Sequence, residues 1–199
     1  MALSFAKAGA SYIAVGARSG TEHLAQEIAD AASSAGRKPP QFLPIRMDVT
    51  DSLSVEAAAT EISSSFGRLD CLINNAGILG SYGLIGDSDP AQWWSVLEVN
   101  LRGPYLVTRA CIPLLLKSHL KFIVNVASVG ALLTNPTLSA YQISKFGLLK
   151  LSQLTNVEYA GQGLVTFCIH PGNIPTDIMG GPENIPPHHK HGKYHSMAK

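Results

Sequence analysis

Five apolar runs of strand length, at Tyr12 to Ala17, Phe42 to Met47, Leu69 to Ile73, Lys121 to Ala127 and Leu164 to Ile169, alternate with segments of helical period. Leu24, Ile28, Ala31 and Ala35 fall at i, i+4, i+7 and i+11, and Val55, Ala59, Ile62 and Phe66 repeat that spacing. Strand and helix in strict alternation predict an α/β fold, a parallel sheet with helices on both faces. With 199 residues, 46% of them hydrophobic, there is material for one substantial core and too little for two domains of ordinary size. The stretch from Ala91 to Ser118 has helical pattern but carries Pro104 and Pro113, each of which removes a backbone donor, so a kinked helix is expected there. From about Ser139 to Ala160, Leu148, Leu149, Leu151, Leu154 and Val157 give a second long helix a broad apolar flank.

Charge and hydropathy exclude several classes. A net charge of +1 provides no basic field for nucleic acid or an anionic membrane surface. No apolar run approaches the length of a membrane span, and the segment after Met1 lacks the pattern of a secretory leader, so a soluble, cytoplasmic product is expected. Cys71, Cys111 and Cys168 are odd in number and widely spaced, which reads as reduced thiols rather than a disulfide framework. Positions 180–199 hold three prolines, three glycines, four histidines and three lysines with little apolar periodicity, and read as a disordered tail beyond a domain spanning 1–179. His188, His189, His191 and His195 have no other ligand types interleaved among them, so no metal site is expected there.

The chemistry lies in the run YQISK. Tyr141 and Lys145 are four apart, one helical turn, and Ser128 stands thirteen positions earlier at the end of an apolar run. A ketone accepting hydride develops negative charge on its oxygen, so a site must supply a proton and a second hydrogen-bond donor. A tyrosine can give the proton and a serine can hold the oxygen. Free tyrosine titrates near pH 10, and drawing it toward neutrality takes roughly 3 to 4 kcal/mol of preference for phenolate, for which a neighbouring ammonium is a ready source.

One tyrosine and one lysine at this spacing form a weak motif; their companions are more specific. NNAG at Asn74 to Gly77 follows the run ending at Ile73, VN stands at Val99 and Asn100, IVNVAS ends at Ser128, and HPGNIPT runs from His170 to Thr176. In this order and spacing the set resembles the short-chain dehydrogenase/reductase family, over roughly positions 1 to 179. The resemblance implies a Rossmann-like, doubly wound sheet, an NAD(P) cofactor and a Ser-Tyr-Lys site acting on a ketone or secondary alcohol. It implies Tyr141 as general acid or base, Ser128 polarising the substrate oxygen, Lys145 acidifying the tyrosine and holding the nicotinamide ribose, and Asn100 anchoring a water that relays protons. It also implies a homo-oligomer through the two long helices.

For the cofactor, Arg18 stands where NAD-using relatives carry an acid, and a guanidinium suits a 2′-phosphate, so NADP is expected, with NAD possible. Asp48 in DVT resembles the adenine-contacting position, although an aspartate between strand and helix equally serves a turn or cap. The backbone of Asn74, Ala76 and Gly77 is expected to pass the adenosine and ribose, and Pro171, Gly172, Ile174 and Thr176 to border the nicotinamide. The substrate is not legible beyond a small carbonyl or alcohol. Tyr82, Trp93 and Trp94, in the stretch after NNAG, fit a pocket wall or core equally.

The sequence also departs from the family. ALSFAKAGA at the start resembles the second half of the family's first helix, so the first strand and its glycine-rich turn have no counterpart, nor do the C-terminal lid and last strand. In the doubly wound order the first strand lies between the second and the fourth, and its absence leaves a gap of roughly 9.6 Å that backbone hydrogen bonds cannot span. Either the sequence is part of a longer protein or the sheet closes up in a changed register; the former is expected. The alternative to an active oxidoreductase is a non-catalytic fragment that acts through pairing with a full-length relative.

Overall fold

The computed structural model describes residues 1–172 and 178. The elements run α1 (Ala2–Ala8), β1 (Tyr12–Ala17), α2 (Leu24–Ser34), β2 (Gln41–Arg46), α3 (Ser52–Phe66), β3 (Cys71–Asn74), α4 (Pro90–Leu97), α5 (Gly103–Leu115), β4 (Phe122–Val126), α6 (Ser139–Tyr159) and β5 (Val165–Ile169). The expected tail at 180–199 and the site residues Ile174 and Thr176 lie outside the described residues.

All strand pairs are parallel, in two separate sheets: β1 with β2, and β3, β4 and β5 in that order. Pairing β1 with β3 would need a changed register, and no such ladder forms among the described residues. The two sheets are joined instead through helices. Ile45 of β2, Ala58 and Ile62 of α3 and Leu114 of α5 form one buried cluster, with Ala14 of β1 and Leu69 packed against it. A second cluster, Ala6, Ile13, Ile28, Ala31 and Ala32, seats α1 and α2 on β1. A third, Val55, Val107, Cys111, Leu115, Ile123 and Leu164, places α3 and α5 against the three-stranded sheet. Pro44 is tolerated in β2 because, among the described residues, that strand has a neighbour on one side only.

Local signals fix the element ends. Asp51 caps α3 by accepting from the Leu53 N–H at 3.0 Å, and Gly67 ends the helix at φ 77°. Asp89 caps α4 through the Gln92 N–H at 2.7 Å, with Pro90 at the first helical position. β3 begins two residues later than the apolar run suggests, because the Leu69 N–H goes to the Leu114 carbonyl at the end of α5 and not to a strand. The expected kink is a π-helical segment, Glu98–Arg102, between α4 and α5, just before Pro104. Pro113, by contrast, sits inside α5, where the carbonyl it leaves without a donor belongs to the exposed Arg109.

A chain of buried polar side chains crosses the three-stranded sheet. Asn74 Nδ2 donates to Thr108 Oγ1 at 3.1 Å and to Asn125 Oδ1 at 2.7 Å, and Asn125 Nδ2 donates to Ser152 Oγ at 2.7 Å. Ser152 Oγ donates in turn to the Leu148 carbonyl at 2.9 Å and lies 3.0 Å from Cys168 Sγ. α5, β3, β4, β5 and α6 are thereby held in one mutual arrangement. The three cysteines are free thiols, and burial raises the Cys111 pKa to about 11.

Candidate active site

In register, the carboxyl ends of the strands lie level: Ala17 opposite Arg46, Asn74 opposite Asn125, and Val126 opposite Ile169. The expected site residues emerge just beyond those ends: Arg18 after β1, Asp48 after β2, Ala76 and Gly77 after β3, Ser128 after β4, and Pro171 and Gly172 after β5. The outer end of parallel strands is where open α/β sheets receive ligands.

Ser128 leaves β4 in extended conformation, and its Oγ accepts the Gly130 N–H at 3.1 Å, opening a single 3₁₀ turn over Val129–Ala131. Tyr141 lies in the first turn of α6. A Cβ built on Gly130 would stand 3.4 Å from Ser128 Oγ and 3.5 Å from a ring carbon of Tyr141, so the two side chains flank one small space that the glycine leaves open. Lys145 is 4% exposed, and its Nζ is 5.8 Å from the Tyr141 ring centre and donates to the Val126 carbonyl at 2.8 Å. Burial lowers its pKa to about 8. At neutral pH the ammonium form still dominates.

Asn100 is fully buried in the π-helical segment. Its Oδ1 accepts the Ile78 N–H at 2.8 Å, while its Nδ2 donates to the Ile78 carbonyl at 2.8 Å and to Ser144 Oγ at 3.1 Å. The side chain thus clamps the loop after β3 and ties it to α6, since Ser144 Oγ donates to the Tyr141 carbonyl at 2.7 Å. All its polar atoms are engaged in that clamp. A Cβ on Gly77 would stand 3.3 Å from Asn100 Oδ1, a tight approach that would press on the clamp, and 3.5 Å from Lys145 Nζ, an ordinary contact that would cover the amine.

On the cofactor side, Asp48 Oδ1 accepts both the Thr50 N–H at 2.9 Å and the Thr50 hydroxyl at 2.8 Å. Those bonds, followed by the nearby Arg18 charge, lower its pKa. The turn-forming use of Asp48 is therefore present, with Arg18 as an electrostatic neighbour. Asn74 turns its side chain into the buried network, leaving only its backbone to border the strand ends. Pro171 and Gly172 are exposed, Gly172 at φ 86°.

Beside Tyr141 opens a cavity of about 240 Å³ between the loop after β3, α4 and the start of α6. Tyr82 and Trp93 line it, while Trp94 points away and is 58% exposed. Trp93 Nε1 donates to Ser139 Oγ at 3.0 Å, fastening α4 to α6. Ser144 was not among the expected site residues, yet it joins Asn100 to the backbone of Tyr141. Its position three after the tyrosine on a helix was the available signal. The Val126 carbonyl that holds Lys145 had no signal in the sequence, because the bond joins residues nineteen apart.

The short chain dehydrogenase family model matches residues 1–184. The chain is 69% identical over 194 residues to short chain dehydrogenase tazN of Aspergillus terreus, covering 96% of this chain and 41% of that protein. It is 62% identical over 190 residues to short chain dehydrogenase pigC of Monascus ruber, covering 96% of this chain and 63% of that one. It thus spans less than two thirds of either relative. Among solved structures, a 3-ketoacyl-ACP reductase from Sinorhizobium meliloti superposes with a TM-score of 0.76 at 30% identity, over 88% of this chain and 67% of the other.

Proposed function

The chain belongs to the short chain dehydrogenase family, and from that premise we propose that it forms the catalytic part of an NADP-dependent oxidoreductase interconverting a ketone and a secondary alcohol. The observation that carries the proposal is the convergence of Ser128 and Tyr141 on one space, with the buried Lys145 amine 5.8 Å from the ring. A buried cation beside a phenol is costly to maintain as mere packing, because among the described residues no carboxylate pairs with it and its hydrogen-bond partner is a carbonyl.

Residues at the strand ends fit a dinucleotide. Gly77 keeps open the space over Lys145 Nζ, and Arg18 offers a guanidinium for a 2′-phosphate. The bound nicotinamide supplies or takes the hydride. The chain's own residues do the rest. The Ser128 hydroxyl donates to the substrate oxygen as charge builds on it. The Tyr141 hydroxyl gives its proton to that oxygen in reduction and takes it back in oxidation. Lys145 holds positive charge near the phenol oxygen as the proton leaves, and its remaining N–H groups are placed for the nicotinamide ribose. Asn100 clamps the loop after β3 through its side chain, and beside that it anchors the water that relays protons outward.

Exposed apolar side chains on the long helices, Tyr105 of α5 and Ile143, Phe146, Leu154 and Val157 of α6, support pairing of two copies through that face.

Titration of NADPH against the purified chain, followed by cofactor fluorescence, tests the reading. Saturation in the micromolar range is expected, and Arg18→Ala should weaken NADPH about tenfold while leaving NADH unchanged. Absence of saturation at millimolar cofactor would instead favour a non-catalytic fragment.

A further inference from the structure

Thr137, at the wall of the cavity beside Tyr141, is unusual in two independent respects. Its φ of 73° lies in the left-handed region that a β-branched residue rarely enters. Its Oγ1 is shielded from solvent and has no hydrogen-bond partner among the described residues. Such a hydroxyl is unfavourable where it stands, and water cannot reach it. The segment is nevertheless held in place, because the Thr137 carbonyl accepts the Gly83 N–H at 3.0 Å, bridging the cavity from the start of α6 to the loop that carries Tyr82. Thr166 also has an unpaired hydroxyl, but it lies on β5 and does not line the cavity.

The rest of the lining is selective in charge. Tyr82, Trp93 and Val96 contribute apolar and aromatic surface, and among the described residues the charged groups of the lining are Asp87 and Asp89, with no lysine, arginine or histidine. An acidic rim over aromatic walls disfavours anions and suits a flat neutral ligand.

We propose that the substrate is an uncharged, flat carbonyl compound bearing a second oxygen, and that Thr137 is the specificity-determining residue that receives it. A turn about χ1 carries the Thr137 hydroxyl from its shielded position into the cavity, where it meets the second oxygen while the reacting carbonyl faces Ser128 and Tyr141. The turn exchanges an unpaired hydroxyl for a paired one, so the ligand's second oxygen provides the differential affinity. This inference rests on the assignment of Tyr141 as proton donor.

The test is a ligand-observed NMR titration of acetophenone, its 2′-, 3′- and 4′-hydroxy isomers, and 4-acetylbenzoate, with NADPH oxidation assayed separately. At least one hydroxy isomer should bind the wild type about tenfold more tightly than acetophenone. Thr137→Val should reduce that preference to about twofold or less and leave acetophenone unchanged, while Thr137→Ser should retain it. 4-Acetylbenzoate should bind at least about fivefold more weakly than acetophenone. A preference that survives Thr137→Val, the absence of any preference in the wild type, or equal binding of the carboxylate would each overturn the proposal. Binding as expected without NADPH oxidation would count against the proton-donor assignment and leave the specificity of the cavity standing.

Discussion

The two sheets are built on different principles. In the β1–β2 half apolar packing joins helices to strands, with Ala6, Ile28 and Ala32 nearly free of solvent. Its side-chain hydrogen bonds, such as Thr21 to the Val15 carbonyl and Thr50 to Asp48, are local, and the candidate cofactor residues Arg18 and Asp48 stand toward its surface. The β3–β4–β5 half has an apolar core as well, but across it runs the buried chain from Thr108 through Asn74, Asn125 and Ser152 to Cys168. That half carries Ser128, Tyr141, Lys145 and Asn100. Apolar contacts are non-directional and tolerate small slides, whereas a fully paired polar network permits one arrangement of its members. Recognition of a charged cofactor edge can use long exposed side chains, but proton delivery to a single atom needs fixed geometry.

The comparison is broken most directly at its chemical end. Tyr141→Phe should lower turnover at least about a hundredfold while NADPH affinity stays nearly unchanged, since the donor is lost and the cofactor contacts are kept. Turnover preserved in this variant, measured with a ketone that the wild type reduces, would reject Tyr141 as the proton donor.

Next in size is the network itself. Asn125→Val removes both bonds that join β3 to α6 through β4, and should cost about 2 to 4 kcal/mol in denaturant unfolding and depress turnover in the folded fraction. A stability loss with unchanged kcat would show that the network stabilises the half without positioning the site.

Lys145 gives a pH test confined to the same half. Its folded pKa of about 8 lies below the ordinary 10.5 because burial penalises the charged form. Between those values the unfolded chain binds more protons, so this residue's contribution to stability rises with pH, from a full penalty below 8 to none above 10.5. Wild type should therefore gain up to about 3 kcal/mol relative to Lys145→Met as pH is raised through that window. Parallel unfolding curves of the two proteins across it would mean that the amine is solvated.

The smallest effect belongs to the other sheet. Ile28→Val trims one methyl group from the α2 face of the apolar cluster and should cost about 1 kcal/mol, with kcat unchanged. A change in kcat in this variant would show that the two halves are mechanically coupled, although no strand ladder joins them among the described residues.

Much of this was legible residue by residue. β1 matches its apolar run end to end, and the strands that follow differ from theirs by one or two residues, because period and turn chemistry are local properties. Ser128, Tyr141 and Lys145 were readable from spacing, and the fold brings them together. The two-sheet arrangement also agrees with the break expected between β1 and β3, and among the described residues a closed-up register does not form. Asn100 stood out by position, but its clamp on the loop after β3 was not legible, since a helix pattern does not say that the side chain reaches back twenty-two residues to both polar groups of Ile78. Pro113 was expected to bend or interrupt its helix, and it does not interrupt it, since α5 runs on to Leu115.

The sequence by itself determined which segments are strands and helices, which face of each is apolar, and which residues are candidates for proton chemistry, since all of these follow from spacings within a few turns of chain. Tertiary structure alone decided that Asn74 serves the core, that Lys145 is held by the Val126 carbonyl, and that Thr137 stands strained and unpaired beside a cavity. Those outcomes depend on which distant groups meet after the chain closes, and a buried polar atom's partner is chosen by proximity in space, where separation along the chain has no say.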